Sequence, residues 1–327
     1  MILYHLFALT FAWLLDKLIG DPPNWPHPVR WMGALIHKIE QAMNKGRFRK
    51  LKGSLMLLIV LLAAGGITLF ITRLFYEIHP IAGILAEGIL IFTAIAQKSL
   101  KEAALEVYEP LAKGDMEAAR VKLSYIVGRD TDRLDEPGIV RAAVETVAEN
   151  TSDGITAPLF WAMIGGAPLA LIYRAINTCD SMVGHMNERY MDFGWASAKV
   201  DDIANWIPSR LTSLCIMLTQ KPEHSPYEEA WGILLRDAPK HPSPNSGWGE
   251  AAVAALLGVQ LGGINFYKGV ISSRATMGKS LVQLEKEHII KSISIMNKTV
   301  FLFLLLLWTG GMFLDLAFTR IESAIFI

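Results

Sequence analysis

Residues 53–72, GSLMLLIVLLAAGGITLFIT, run for twenty positions without a charge. A helix that crosses the hydrocarbon core of a bilayer needs roughly 20 apolar residues, so this stretch reads as a membrane span. Residues 299–318, TVFLFLLLLWTGGMFLDLAF, read the same way despite Asp315 near their end. Residues 154–173, GITAPLFWAMIGGAPLALIY, are also uncharged, but Pro158, Gly165, Gly166 and Pro168 interrupt them. Broken helices are tolerated at membrane depth where they are buried in protein or line a cavity. Residues 78–97 are a weaker span with Glu87 in the middle, and an intramembrane carboxylate is a functional suspect. Residues 1–15, 203–220 and 251–267 are shorter apolar stretches, read as tilted spans, half-helices or helices lying against the bundle.

The whole chain is consistent with that reading. Its 327 residues are 52% hydrophobic and 19% charged, with a mean hydropathy of +0.33. That is apolar for a soluble protein and too charged for a bare bundle in lipid, so spans combined with polar loops are expected. Positive and negative side chains balance at 31 each, which leaves no basic footprint for nucleic acid. Cys179 and Cys215 form no CxxC pair, and neither a disulfide nor a zinc site is expected. The N-terminus is apolar from its first residue and lacks a basic leader or a small-residue cleavage site, so a retained helix is expected. Lys38, Lys45, Arg47, Arg49, Lys50 and Lys52 precede one strong span, and Lys268, Arg274, Lys279, Lys286, Lys291 and Lys298 precede another. Basic loops stay in the cytoplasm. The side occupied by 177–202 is left open, with a re-entrant or cavity-lining path preferred.

The expected fold is all-α: a polytopic helical membrane protein with broken or re-entrant helices and cytoplasmic helical loops. It is read as one domain, 1–327, with spans near 1–18, 53–75, 78–97, 154–176, 203–220 and 299–318. Residues 98–127 show three- and four-residue apolar spacing around Gly114-Asp115, which predicts an αα-hairpin. Strand signals are almost absent.

Polar residues concentrate between 124 and 210. Arg129, Asp130, Asp132, Arg133 and Asp135 alternate in sign, and Pro137 predicts a helix start with Asp135 or Glu136 at its cap. On that helix Arg141, Glu145 and Glu149 share one face, which is either a solvated ion-pair ladder or part of a site. Asn150 and Asp153 lead into the broken helix. Arg174, Asn177, Asp180 and Ser181 follow it, and Asp201, Asp202, Asn205 and Arg210 repeat the mixture. Pro239, Pro242 and Pro244 stiffen the loop that carries Asp237, Lys240, His241 and Asn245. Glu250 reads as an ordinary first-turn acid. The stretch ending Gly278-Lys279-Ser280 lacks the first glycine of a phosphate loop, and GWGEAA at 247–252 follows no strand.

Several blocks together resemble the CobD/CbiB family: DKLIGDPPNWPHPVRWMG (16–33), GRDTDRLDEPGIVRAAVETVAENTSDGITAPLFW (128–161), YRAINTCDSMVGH (173–185), DDIANWIPSR (201–210) and HPSPNSGWGEAAVAALLGVQLGG (241–263). The resemblance runs in order from about residue 10 to residue 280. It implies a multi-pass enzyme of the cell (inner) membrane, an adenosylcobinamide-phosphate synthase of cobalamin biosynthesis with its site loops in the cytoplasm. The implied ATP-dependent ligase reaction joins a side-chain carboxylate of adenosylcobyric acid to (R)-1-amino-2-propanol or its O-phosphate. The implied partners are the corrinoid, the amino alcohol and the lipid bilayer, with a homo-oligomer or a complex with other pathway enzymes as further options. ATP and Mg²⁺ are the expected cofactors.

Such chemistry needs metal ligands, cations for phosphate and a base for the ammonium proton. Under the resemblance, Asp130, Asp132, Glu145 and Asp153 are candidate metal ligands. Arg129, Arg141, Arg174, Lys240 and Asn245 are candidates for binding nucleotide, and His27 and Arg30 for meeting the corrinoid. Asp180, His241 and Glu149 are the catalytic candidates. A non-catalytic regulatory or transport protein of the same superfamily is the alternative.

Overall fold

The computed structural model describes residues 1–22 and 25–325, the stretch 318–325 as helix backbone alone. Pro23 and Asn24, inside the proline-rich block near the N-terminus, lie outside the described residues. The chain is helical almost throughout. In order, the helices are α1 (Ile2–Leu18), α2 (Pro28–Met43), α3 (Arg49–Ile78), α4 (Pro80–Phe92), α5 (Gln97–Ala112), α6 (Met116–Ser124) and α7 (Glu136–Thr151). A π-helical turn at Ser152–Thr156 joins α7 to α8 (Ala157–Val183). Then come α9 (Trp195–Ala204), α10 (Trp206–Leu218), α11 (Tyr227–Asp237) and α12 (Ser246–Leu257). A hairpin of β1 (Gln260–Tyr267) and β2 (Val270–Gly278) precedes α13 (Glu287–Ile325).

Four helical stretches among the described residues are long and apolar enough to cross a membrane: Arg49–Ile78, Pro80–Ala112, Glu136–Val183 and Glu287–Ala317. Their outer faces fit that role. α3 leaves Leu55, Leu58, Leu62, Ile67, Phe70 and Leu74 exposed, an apolar surface that water would penalise and lipid would not. The chain is thus a helical membrane protein.

Packing divides it into two compact units. The first holds residues 1–96, 154–205 and 304–327, and the second holds 97–153 and 206–303. In the first unit α1 packs on α4, and α3 packs on α4, α8 and α9. The helix break read from the sequence is present inside α8, where Gly165 and Gly166 leave helical geometry.

In the second unit α12 is the centre. It is buried on every side, from Ala251 to Leu257, and α7, α10, α11 and the hairpin surround it. A helix apolar all round can only be stable in such a place. The αα-hairpin is found as α5 and α6, with the Asp115 carboxylate capping α6 by accepting from Ala118 N–H at 2.9 Å. Asp135 caps α7 in the same way, accepting from Gly138 N–H at 2.9 Å.

The β-hairpin is the departure from an all-helical reading. It consumes part of the apolar stretch 251–267, because Gly258 ends α12 in the left-handed region. Its two-residue turn, Lys268-Gly269, has positive φ at both positions, the geometry that matches strand twist in tight hairpins.

Candidate functional site

The residues singled out in the sequence fall into two groups, one in each unit. In the second unit the focus is the exposed-to-buried face of α7 and the loop before α12. Glu145 is 4% exposed, and both its oxygens are engaged. Arg129 Nη2 donates to Oε2 at 2.5 Å and Gly262 N–H donates to Oε1 at 2.7 Å. Arg129 also donates to Asn265 Oδ1 at 2.8 Å. Arg141 donates to the carbonyls of Gly262 and Ile264 at 2.6 and 3.0 Å. Together these bonds fasten the hairpin to α7. Asp130 does similar work at the hairpin's far end, where its carboxylate accepts from Lys268 and Gly269 N–H at 2.9 and 2.7 Å.

The four carboxylates read as metal ligands are therefore not gathered round one ion. Asp130 and Glu145 hold the hairpin, Asp132 is exposed, and Asp153 sits on the π-helical turn. Among the described residues, no three His, Cys, Asp or Glu side chains come together as a metal-binding group. This donor set does not fit a shared cation.

One turn beyond Glu145, Glu149 Oε1 accepts from Ser246 Oγ at 2.9 Å. The loop HPSPN lies beside it, braced by Ser243 Oγ, which accepts from Asn245 and Ser246 N–H at 3.2 Å each. His241 Nδ1 accepts from Ser243 N–H at 3.0 Å, and its Nε2 lies 3.7 Å from Glu250 Oε1 and 3.5 Å from Arg274 Nη1. Burial lowers the His241 pKa, the Glu149 charge opposes that shift, and Arg274 adds to it.

Glu250 is 3% exposed. Burial, and then the charges of Glu145 and Glu149, raise its pKa well above the usual carboxylate range. It is not the solvated first-turn acid suggested by its place near the start of α12. The signal for this was its position against the run Ala251–Leu257, which only a buried helix can carry.

The remaining candidates of this unit are tied into structure. Lys240 Nζ donates to Asp237 Oδ1 at 2.7 Å, and Arg236 donates to both Asp237 oxygens. Burial alone would raise the Asp237 pKa, but these bonds and Gly278 N–H hold it well below the ordinary value. Asn245 Oδ1 accepts from Arg210 Nη1 at 3.3 Å, and the Arg210 guanidinium lies between the rings of Trp206 and Trp248, at 4.4 and 4.8 Å. Sequence reasoning gave neither Trp248 nor Arg274 a role. A polar cavity of about 650 Å³ lies at the N-terminal end of α7, with Arg133, Gly138, Arg141, Gln260 and Ser280 among its lining residues.

In the first unit, His27 is the N-cap of α2, its Nδ1 accepting from Val29 N–H at 3.3 Å, with Nε2 3.3 Å from Asp21 Oδ1. Both ring nitrogens thus face protein partners. Arg30, Trp25 and Trp31 are exposed nearby in sequence. Glu87, 1% exposed, sits at the break in α8. It accepts from Tyr76 Oη at 2.5 Å and from Ala167 N–H at 3.0 Å, and lies 2.9 Å from His5 Nδ1. Gly166 has φ +61°, and a Cβ there would sit 1.7 Å from Glu87 Oε1.

Further along α8, Arg174 and Asp180 are half-buried. Asp180 faces Asp201 of α9. Burial, and then the Asp180 charge, push Asp201 up to about 7, against hydrogen bonds from Asn205 and Asn177.

A sequence model of the family described as CobD/Cbib protein matches residues 9–296. A cobalamin biosynthesis protein CobD of Halalkalibacterium halodurans is 56% identical over 96% of this chain and 99% of its own length. One of Clostridium perfringens is 45% identical over 91% of this chain and 95% of its own. Cobalamin biosynthesis protein CbiB of Salmonella typhimurium is 43% identical over 89% and 92%. No solved structure matches the chain.

Proposed function

Because this chain belongs to the CobD/CbiB family, we propose that it serves cobalamin biosynthesis as an ATP-dependent ligase of the cell membrane. In this reading it joins a side-chain carboxylate of adenosylcobyric acid to (R)-1-amino-2-propanol O-phosphate, or to the free amino alcohol. Carboxylate and amine do not condense unaided in water. ATP supplies the drive by converting the carboxylate into a phosphorylated acyl group that an amine can attack.

The observation that supports this is the buried charge cluster of the second unit. Glu145, Glu149 and Glu250 surround His241, whose burial disfavours the charged ring, with Arg129 and Arg274 beside them. Strongly shifted titrations of buried groups mark candidate sites of proton transfer. In that cluster Glu149, held by Ser246, is the carboxylate placed to take the ammonium proton. Arg133 and Arg141 at the cavity supply charge for phosphate groups, with Arg suited to bidentate contact.

The test is direct. The purified protein in detergent, given ATP, adenosylcobyric acid and aminopropanol phosphate, is expected to form product and consume ATP together. Glu149→Gln is expected to lower the rate by about 100-fold, the range of a lost acid–base group. No turnover by a folded protein would favour the non-catalytic regulatory or transport reading, and full activity in the variant would remove Glu149 from its role.

A further inference from the structure

Between α2 and α3 the first unit holds an apolar groove of about 190 Å³ that the reaction above does not use. Val60, Ala64 and Thr68 of α3 recur at spacings of four, so they share one stripe of that helix. With Leu171 of α8 they make up the buried part of the lining. Trp31 and Leu35 line it from α2. The two helices pack on each other, but Ala63 and Ala64 bring only a methyl group each. The groove is the space that larger side chains there would fill.

We infer that this groove binds one acyl chain of a membrane phospholipid, with the phosphate of its headgroup at Arg30. Three observations carry this. The first is the lining. Of the described residues that form it, only Thr68 and Trp31 carry a polar atom. The Thr68 hydroxyl is turned to its own helix, reaching the carbonyls of Ala64 and Gly65 at 2.6 and 3.1 Å. A space lined in this way stays dry and takes hydrocarbon.

The second is continuity with the surface that lipid covers. Ile67 lines the groove and is 61% exposed. It belongs to the same outer face of α3 as Leu62, Phe70 and Leu74, inside the uncharged run 53–72. The groove therefore opens where the neighbouring molecules are lipids. Chains that stopped at its rim would forfeit dispersion contacts along its whole length.

The third is the match of length and charge. From Val60 to Ile71 the lining follows α3 for about 16 Å at 1.5 Å per residue. That is half of the roughly 30 Å hydrocarbon core, the depth of one leaflet. On the α2 side Trp31 is 62% exposed, and Arg30 beside it is exposed with no ion pair among the described residues. An indole suits the headgroup level of a bilayer, and a guanidinium suits a phosphate. An apolar channel with a free cation at its edge complements a charged head on a hydrocarbon tail.

The groove lies wholly within the first unit, and its test needs no substrate of the reaction proposed above. Protein in detergent is given phosphatidylglycerol with a photoactivatable diazirine in one acyl chain, irradiated, digested and read by mass spectrometry. Label is expected to saturate at one lipid per chain on residues 28–35 and 60–71, and the bound lipid to raise Tm. Ala64→Leu, which fills the groove from within, is expected to cut this labelling about tenfold and to abolish the rise in Tm. Gly66→Leu, on the open side of α3 where a side chain meets nothing, should label as wild type does. Arg30→Gln should weaken phosphatidylglycerol several-fold and leave a diacylglycerol with the same chains unchanged. Label spread without saturation over the outer faces of α3 and α13 would overturn the inference, as would labelling unaltered by Ala64→Leu. Phosphatidylglycerol bound by Arg30→Gln as by wild type would overturn the headgroup assignment. Crosslinks between two chains through Trp31 and Ile67, with lipid excluded, would give the groove to a second copy and overturn it equally. Should Ala64→Leu fail to fold, the label map on wild type still decides.

Discussion

Gly166 shows how much one missing side chain can decide. Its φ of +61° lies where L-residues are strained, and the Glu87 carboxylate fills the place of its Cβ. Gly166→Ala adds the left-handed penalty and displaces Glu87 from Ala167 N–H. Together these are expected to cost about 2–4 kcal/mol, read as a lower thermal midpoint in detergent. Glu87→Gln keeps the shape and an acceptor oxygen, so its loss should be smaller. Glu87 was legible in the sequence because it is a lone charge in an apolar stretch. Its partners His5 and Tyr76 were not, because each is an ordinary residue of another helix that only packing brings near.

At the scale of elements, helices were the readable part. Gly114-Asp115 announced the turn between α5 and α6, Asp135 announced α7 through its cap, and the glycine pair in 154–173 announced the break in α8. The hairpin was hidden, because QLGGINFY carries two glycines and a one-residue irregularity in register between Leu261 and Gly263, which spoils the alternation that marks a strand. For the same reason the hairpin contacts of Arg129, Arg141, Glu145 and Asp130 could not be read from the sequence: the partner that engages them was not visible. Asp130→Ala should release the hairpin turn, costing about 1–3 kcal/mol, with faster hydrogen exchange at Lys268 and Gly269 as the readout. Asp237 ties α11 to the end of β2 through Gly278 N–H. Its folded pKa is depressed, so its contribution is fully present above the unfolded carboxylate value of about 3.9 and is lost as pH falls through the lower folded one. Asp237→Asn is expected to lower stability by about 2 kcal/mol at pH 7 and by progressively less on acidification, as unfolding curves at several pH values would show.

At the scale of the molecule, the long apolar helices were plain from hydropathy, whereas the division into two units was not. Each unit is assembled from separated stretches of chain, and no composition change marks where one gives way to the other. The exposed apolar faces of α3 and α13 predict that the protein stays with membranes through alkaline carbonate washing and leaves them only in detergent. Release by carbonate would contradict the spanning assignment. The break in α8 also sets an order of assembly. The second half of that helix starts at a nitrogen whose acceptor, Glu87, was made eighty residues earlier. A nascent chain holding residues 154–183 without α4 in place would have no partner for that amide in lipid, where an unbonded group costs several kcal/mol. Synthesis from the N-terminus delivers α1, α3 and α4 first, so the cradle is ready when the broken helix arrives, and a circular permutant that made α8 before α4 would have to insert it incomplete.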